Sequence, residues 1–337
     1  MMEKRYRILA LLVFALIPGF LLRDLVWPEI PGNSVIDRTS IRIVTNPWSG
    51  SAHAFIAEKK GIFSKNGVEV QLILVKTQSE AVAKYESGGA EGIFDIFSNT
   101  IGQIAKGIHS KVVYVIDYSL SGDVIVGRPE LSSLADLKNR TVSFEGFNSF
   151  SHIYVLKALE TVGLDESTVR FKMVPATEII AALEQRRIDA GHTWQPTSGR
   201  ALEKGYKILS RAGDIPGIIT DVLSFHTKVV EQQAEQVRSI VKSLLEAQKY
   251  VEAHPEESLR IMAAATGMTV KEIAIGLDGI KKLNLVDNQF ALSHPDDPRS
   301  LYNSGKFIIQ FLLNRGQLME IPNLNEIIDD SMLRSLK

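Results

Sequence analysis

Ile41-Arg42-Ile43-Val44-Thr45-Asn46-Pro47-Trp48-Ser49-Gly50-Ser51-Ala52-His53 and, about one hundred residues further on, Thr141-Val142-Ser143-Phe144-Glu145-Gly146-Phe147-Asn148-Ser149-Phe150-Ser151-His152 are two passages with one plan. Each begins with a short run rich in β-branched or aromatic residues, the composition of a strand buried in a sheet. Each then passes through a short polar loop into residues patterned like a helix. The correspondence continues downstream. Gly61 has a counterpart in Gly163, Ala90-Glu91-Gly92 in Ile188-Asp189-Ala190, and Ala105-Lys106-Gly107 in Glu203-Lys204-Gly205. An order repeated over this length indicates two lobes built alike.

Working outward, the first half predicts strands at 41–45, 68–75, 93–97 and 112–117, with helices at 51–65, 77–87 and 99–106. The second half predicts strands at 141–145, 169–174 and 190–194, with helices at 151–162, 177–185 and 197–205. Strands alternating with helices imply an α/β fold with mostly parallel sheets and helices on their faces. Thr77 and Glu80 have the spacing of a capping box, and Gly88-Gly89 ends that helix. Two extended segments, 119–127 and 218–226, would carry the chain from the first lobe to the second and back, which makes them hinge candidates. Helical patterns at 228–253, 254–266, 269–281 and 301–315 then return to pack on the first lobe, with Pro255 near a start and Gly267 as a breaker. The expected organisation is residues 40–121 plus 227–337 as lobe 1 and residues 122–226 as lobe 2.

In open α/β sheets ligands sit beyond the carboxyl ends of the strands, where helix starts present free N–H groups. The repeat therefore predicts a matched pair of sites. In lobe 1 these are the loop from Pro47 and Trp48 through Ser49 and Ser51, and the turn Ser98-Asn99-Thr100. In lobe 2 they are the loop carrying Asn148, Ser149, Ser151 and His152, and the turn at Trp194-Gln195-Pro196. Ser, Thr and Asn are also the commonest N-caps, so each loop has a purely architectural reading. The two Trp residues are core anchors or the flat walls of a cleft. His53 and His152 near their helix starts read equally as satisfied cap histidines or as ligand contacts. Asp123 and Asp221 lie in the two crossing segments, where a carboxylate could face the cleft and take an amine, or simply solvate a hinge. Glu145 ends a strand near the same edge. No Ser–His–Asp arrangement, paired-carboxylate motif or metal spacing stands out, and nothing in the chain requires an enzyme.

The 337 residues suffice for two lobes of ordinary size. A formal net charge of -1, with 23% charged and 45% hydrophobic residues, offers no basic field for nucleic acid. The chain has no cysteine, which excludes disulfides, thiolate chemistry and a lipid-modified cysteine anchor. At the N-terminus Lys4, Arg5 and Arg7 precede an apolar run from Ile8 to Leu22, closed by Arg23 and Asp24. This is the n-region and h-region pattern of an export signal, too short and too interrupted by Pro18-Gly19 for a comfortable membrane span. Residues 1–26 are therefore expected to be a signal peptide or a retained membrane tether, and 27–39 a spacer outside the fold. An intact Met1 on the exported product would mark the tether, and a start after Leu25 a free shuttle.

Several stretches resemble one family in order and spacing: Ala57 to Phe63 with Gly67 to Val70, Leu134 to Lys138 with Val142, Ser149 to His152 with Leu156 to Leu159, and Ala181 to Leu183 through Ile188-Asp189-Ala190 to Trp194-Gln195-Pro196. The family is that of the solute-binding proteins for nitrate, sulfonate, taurine and bicarbonate uptake, which also includes proteins similar to thiamine-pyrimidine synthases. Its usual Trp-Glu-Pro is Trp-Gln-Pro here, so Gln195 removes a charge. The resemblance implies the type II periplasmic-binding fold, two Rossmann-like lobes closing by a hinge over one ligand. Carried over residue by residue, it puts Pro47 to Ser51, Ser98 to Thr100, Ser149 to His152, Trp194, Gln195 and Asp221 on the cleft.

The function expected is capture of a small molecule, a sulfonate, nitrate or taurine-like compound, in the periplasm or at the outer face of the cytoplasmic membrane. Its partners would be that ligand and the permease subunits of an ABC importer, with no cofactor. A membrane-tethered sensor using the same cleft is the alternative. A pyrimidine-synthase-like enzyme is disfavoured, since those enzymes carry a cysteine-rich motif.

Overall fold

The computed structural model describes residues 40–297, 299–318 and 320–336. The expected signal or tether and the spacer lie outside the described residues. β1 (Ser40–Thr45) leads to α1 (His53–Lys59) and α2 (Ile62–Lys65). The pattern predicts one helix here, but Gly61 adopts a left-handed φ of 65° and splits it. β2 (Glu69–Leu74), α3 (Gln78–Glu86), β3 (Gly92–Ile96), α4 (Phe97–Ala105) and β4 (Ser110–Ser119) follow. At the start of α3 the Thr77 hydroxyl accepts from Glu80 N, while the Glu80 carboxylate reaches back to Lys76 N, so the box is displaced by one residue.

β5 (Asp123–Gly127) opens the second lobe, followed by β6 (Thr141–Phe144), α5 (Phe150–Glu160), β7 (Arg170–Met173), α6 (Ile179–Glu184), β8 (Ala190–Trp194), α7 (Thr197–Glu203) and β9 (Lys207–Arg211). The chain returns through β10 (Thr220–His226) to α8 (Thr227–Gln232), α9 (Ala234–Ala253), α10 (Pro255–Thr266), α11 (Val270–Asp278), β11 (Ile280–Lys282), α12 (Leu285–Ser293), α13 (Leu301–Asn314), α14 (Leu324–Ile327) and α15 (Ser331–Arg334). Among the described residues no helix is long and apolar enough to cross a membrane.

The first sheet has the order β11-β4-β10-β3-β1-β2 and the second β7-β6-β8-β5-β9. Written from the other edge, the first reads β2-β1-β3-β10-β4, and the second matches it strand for strand. In both, the first three strands are parallel and the fourth, β10 or β5, runs antiparallel to its neighbours. That fourth strand is the one that has just arrived from the other lobe. The repeated sequence plan is thus a repeated topology, the type II periplasmic-binding fold.

Two sequence expectations need correction. The segment 218–226, expected as a crossing and as the end of lobe 2, is mostly β10, and β10 pairs with β3 and β4 in the first sheet. The return crossing is residues 212–219, and the outward one is only Leu120 to Gly122. Both crossings are short because the exchanged strands are absorbed into the sheets they reach. β9, β11 and α12 were not expected: β9 and β11 are short edge strands with interrupted burial, which carry little periodic signal.

The core forms where the patterns meet. α9 buries Val237, Ile240, Val241, Leu244 and Val251 on one stripe, and α1 packs on it with Ala54, Phe55, Ile56 and Ala57. One contiguous apolar cluster extends from this packing through the first sheet to Val142 and Phe144 of the second and Tyr154 of α5. The two sheets therefore meet over a shared apolar floor.

Candidate functional site

The strand ends of the two sheets line a narrow cavity with about 30 Å³ of water-accessible volume. From the first sheet it is lined by Asn46 and Trp48 beyond β1, Ile96 at the end of β3, Ile116 in β4, and Ile219 and Asp221 at the start of β10. From the second come Asp123 at the start of β5, Phe150 at the start of α5, and Trp194 at the end of β8. Ligand sites at the carboxyl edge of parallel strands are the rule for such sheets. Phe150 and Trp194 stand 5.9 Å apart, centroid to centroid, and make one aromatic wall.

Carboxylates dominate the polar part. On β4, Asp117 stands directly opposite Asp221 of β10 on one side and Lys282 of β11 on the other. Directly opposite residues share a sheet face, so two like charges are set side by side, an arrangement that costs stability. The ladder slips between Asp221 and Val222, leaving Ile116 as an extra residue in β4. Such bulges re-aim side chains near sites, and here Ile116 reaches the cavity. The indole Nε1 of Trp48 donates to Asp117 Oδ2 at 3.3 Å. Gly50 permits this contact, since a Cβ there would lie 1.9 Å from Asp117 Oδ2 and 2.6 Å from Trp48 Nε1.

Asp117 is completely buried and its Oδ1 has no donor. Burial pushes its carboxyl up to about 7. Asp221 is raised well above the ordinary carboxylate range, by burial first and by the Asp117 charge second. Two carboxyl groups so placed share a proton near neutrality. Across the gap, His192 Nε2 lies 3.0 Å from Asp123 Oδ1. Lys282 is the nearby cation; burial lowers its ammonium and Asp117 works against that. No Lys, Arg or His lines the cavity. Ser51, its one hydroxyl, is spent on Thr45 Oγ1 at 3.1 Å and the Trp48 carbonyl at 3.3 Å.

Of the residues singled out in the sequence, Trp48, Ser51, Trp194 and Asp221 come together on this cavity, and so does Asp123. Ser98, Asn99, Asn148, Ser149 and Glu145 line an adjoining, broader cleft that shares Gln78 and Phe150 with it. Pro47, Ser49, Thr100, Ser151, His152 and Gln195 line neither. Their groups are used internally. A Cβ on Gly276 of α11 would lie 2.2 Å from Ser49 Oγ, so that hydroxyl is packed beneath α11. Thr100 Oγ1 meets Ser224 Oγ at 3.2 Å, Ser151 Oγ accepts from Glu145 N at 3.0 Å, and Gln195 Oε1 accepts from Gly199 N at 3.3 Å. His152 accepts from Asn148 N at Nδ1 and sits among Phe144, Phe147, Phe171 and Phe311; burial pushes it down to about 4. His53 donates from Nδ1 to the Gly50 carbonyl at 2.7 Å and burial pushes it down to about 3. Both histidines are structural.

Sequence reasoning missed Asp117 and Gln78, and placed Phe150 on the cleft only as part of the stretch Ser149 to His152. Asp117 had one signal, a charge closing the apolar run 112–116 at the sheet's edge. Phe150 had another, a large aromatic at the repeat position held by Gly50 in the first lobe.

The NMT1/THI5-like family profile matches residues 48–258. A Brucella abortus protein provisionally named a binding protein is 25% identical over 251 residues, covering 72% of this chain and 77% of its own. The taurine-binding periplasmic protein of Escherichia coli is 27% identical over 143 residues, covering 42% of this chain and 44% of its own. Among solved structures, the ligand-binding component of an ABC-type import system from Staphylococcus aureus, with zinc bound, superposes with TM-score 0.72 at 14% identity, over 89% of this chain and 99% of that one. The periplasmic aliphatic sulphonate binding protein of Escherichia coli gives 0.70 at 18% identity, over 86% and 92%. The desulfurization enzyme DSZB shares the fold as well, with TM-score 0.64 at 14% identity, over 88% and 98%. Since the profile spans well over half of the sequence and the sheets, cavity and relatives agree with it, this chain belongs to the NMT1/THI5-like family.

Proposed function

We propose that this protein is the extracytoplasmic receptor of an ABC importer, which closes its two lobes on a small molecule and presents it to the permease. A solute-binding role is what its relatives share. The observation that carries the reading here is the cavity itself, enclosed by matched strand ends of two lobes that exchange one strand each, and holding recognition groups without a nucleophile and base. The apolar run from Ile8 to Leu22 supports export to the periplasm or tethering at the outer face of the membrane. Of the ligands in view, a taurine-like zwitterion suits the lining better than nitrate or a simple sulfonate, because Asp123 and Asp221 face the cavity and no cationic side chain does.

The test is binding coupled to compaction. A cognate ligand should saturate one site, raise Tm, and reduce the radius of gyration in X-ray scattering. A freshly purified protein that carries no small molecule in native mass spectrometry, and that no candidate compound compacts, would overturn the reading.

A further inference from the structure

The first sheet shows two ways of burying a carboxylate. Asp95, in β3, is buried with both oxygens answered: Gln78 Nε2 donates at 2.7 Å, Ile96 N at 2.8 Å and Asn99 Nδ2 at 2.9 Å to Oδ1, and Gln103 Nε2 at 2.8 Å to Oδ2. Asp221, in the neighbouring strand, is only 7% exposed, lines the cavity, and has another acid, Asp117, as its side-chain hydrogen-bond partner. Buried carboxylates are retained when something completes them. The helices α3 and α4 and the strand itself answer Asp95 with four donors, whereas Asp221 is given only another acid and turns its open face to the cavity. Asp123 adds a second acid from the opposite wall, and Asp117 stands behind Asp221 with one oxygen unanswered. The aromatic wall of Phe150 and Trp194, with Trp48 facing it from the other sheet, is of the kind that attracts cations. Among the described residues no group of three His, Asp or Glu converges in a manner that would hold a metal ion, so the missing charge is not supplied that way.

We propose that the cavity takes an organic cation, with an ammonium or amidinium group set against Asp221 and Asp123 and its carbon body lying against Trp48, Phe150 and Trp194. This rests on the receptor reading and names the ligand class of that same site. An N–H-bearing cation answers the lone pairs and the charge together. A neutral donor would answer only the first, and an anion would meet two acids and no base. The charged groups facing the Asp221 carboxyl are Asp95 on β3, Asp117 on β4, Asp123 on β5 and, beyond Asp117, Lys282 on β11. Entry of a cation therefore expels the proton shared by Asp117 and Asp221.

The experiment is calorimetry and thermal shift on the intact exported protein with pairs matched in shape and differing in charge: benzamidine against benzamide, 2-phenylethylamine against 2-phenylethanol, and taurine against isethionate. In at least one pair the cation-bearing member should bind at least tenfold tighter than its partner, and tighten about three- to tenfold from pH 6 to pH 8. Asp221→Asn should weaken that member tenfold or more while leaving Tm of the empty protein equal or higher, which separates loss of recognition from loss of fold. Asp123→Asn serves as a second variant with a smaller loss. Saturable binding of isethionate or nitrate without any cation overturns this inference and leaves the receptor reading standing. An Asp221→Asn protein that binds as the parent does, or a neutral member that matches its cation, also overturns it. Failure of every compound, cationic, neutral and anionic, to bind overturns both.

Discussion

At the scale of single residues, the cost of the site is concentrated in Asp117. A carboxyl raised from its ordinary value to about 7 binds its proton more tightly folded than unfolded. Its contribution to stability is therefore fully present below about pH 4 and is lost as pH rises through about 7. Between pH 6.5 and pH 8.5 the empty protein should lose the last part of that contribution, on the order of 1 kcal/mol. Asp117→Asn should reduce that slope, as read by urea unfolding at the two pH values. The window is chosen because His53 and His152, pushed down to about 3 and about 4, act in the opposite sense, losing stability as pH falls below their unfolded value. Asp117 was legible only as a charge at the end of an apolar run. That Asp221 stands directly beside it could not be read from the chain, since the two are brought together by the pairing of β4 with β10.

Elements decide where the lobes join. The carbonyl of Gly279, between α11 and β11, accepts from the N–H groups of Leu120, Ser121 and Gly122 at 2.9, 2.9 and 3.0 Å. The outward crossing is thereby pinned to the first lobe, and Gly122 in turn accepts from Gln195 N of the second at 3.2 Å. A Cβ on residue 279 would lie 2.9 Å from Gly122 N and 3.0 Å from its Cα. Gly279→Ala should cost about 1–3 kcal/mol in urea unfolding, the range for overpacking against backbone. Gly102→Ala in α4, where an added Cβ meets nothing within 4 Å, should be neutral or slightly stabilising and serves as the control. The outward hinge candidate, 119–127, contains the crossing but runs on into β5, and the return candidate, 218–226, overlaps its crossing only at 218–219. An extended run reads the same whether it crosses between sheets or pairs within one.

At the scale of the whole molecule, ion pairs link residues of the two lobes. Arg315, capping α13, donates to Glu166 at 2.6 Å and to Asn148 at 3.1 Å. Arg200 of α7 pairs with Glu272 of α11, and Lys271 of α11 with Glu203 of α7 at 3.2 Å. Each is partly exposed, so each contributes about 0–1 kcal/mol, screened by salt. Removing one should shift the population toward open lobes and weaken ligand binding about two- to fivefold, because only the closed fraction is competent. Arg315→Ala and Arg200→Ala should show this in an interlobe fluorescence distance with little change in Tm, and high salt should mimic them. No change in lobe distance would show that the shared apolar floor alone sets closure.

What the sequence determined by itself was everything that repeats or alternates: two lobes of one plan, the α/β class, most strands and helices, and the edge at which Trp48, Trp194 and Asp221 would be found. Local periodicity and turn chemistry are written in neighbouring residues, so they survive without a fold. What only the tertiary structure decided was which polar groups are free. Thr100, Ser151, His152 and Gln195 have the residue types of a site and are spent on internal hydrogen bonds, and Ser49 is buried beneath α11, whereas Gln78 was not expected and lines the cavity and Asp117 was not expected and lies buried behind it. Whether a side chain is satisfied depends on partners tens to hundreds of residues away, brought within 3 Å or so by strand pairing, and no local pattern records that.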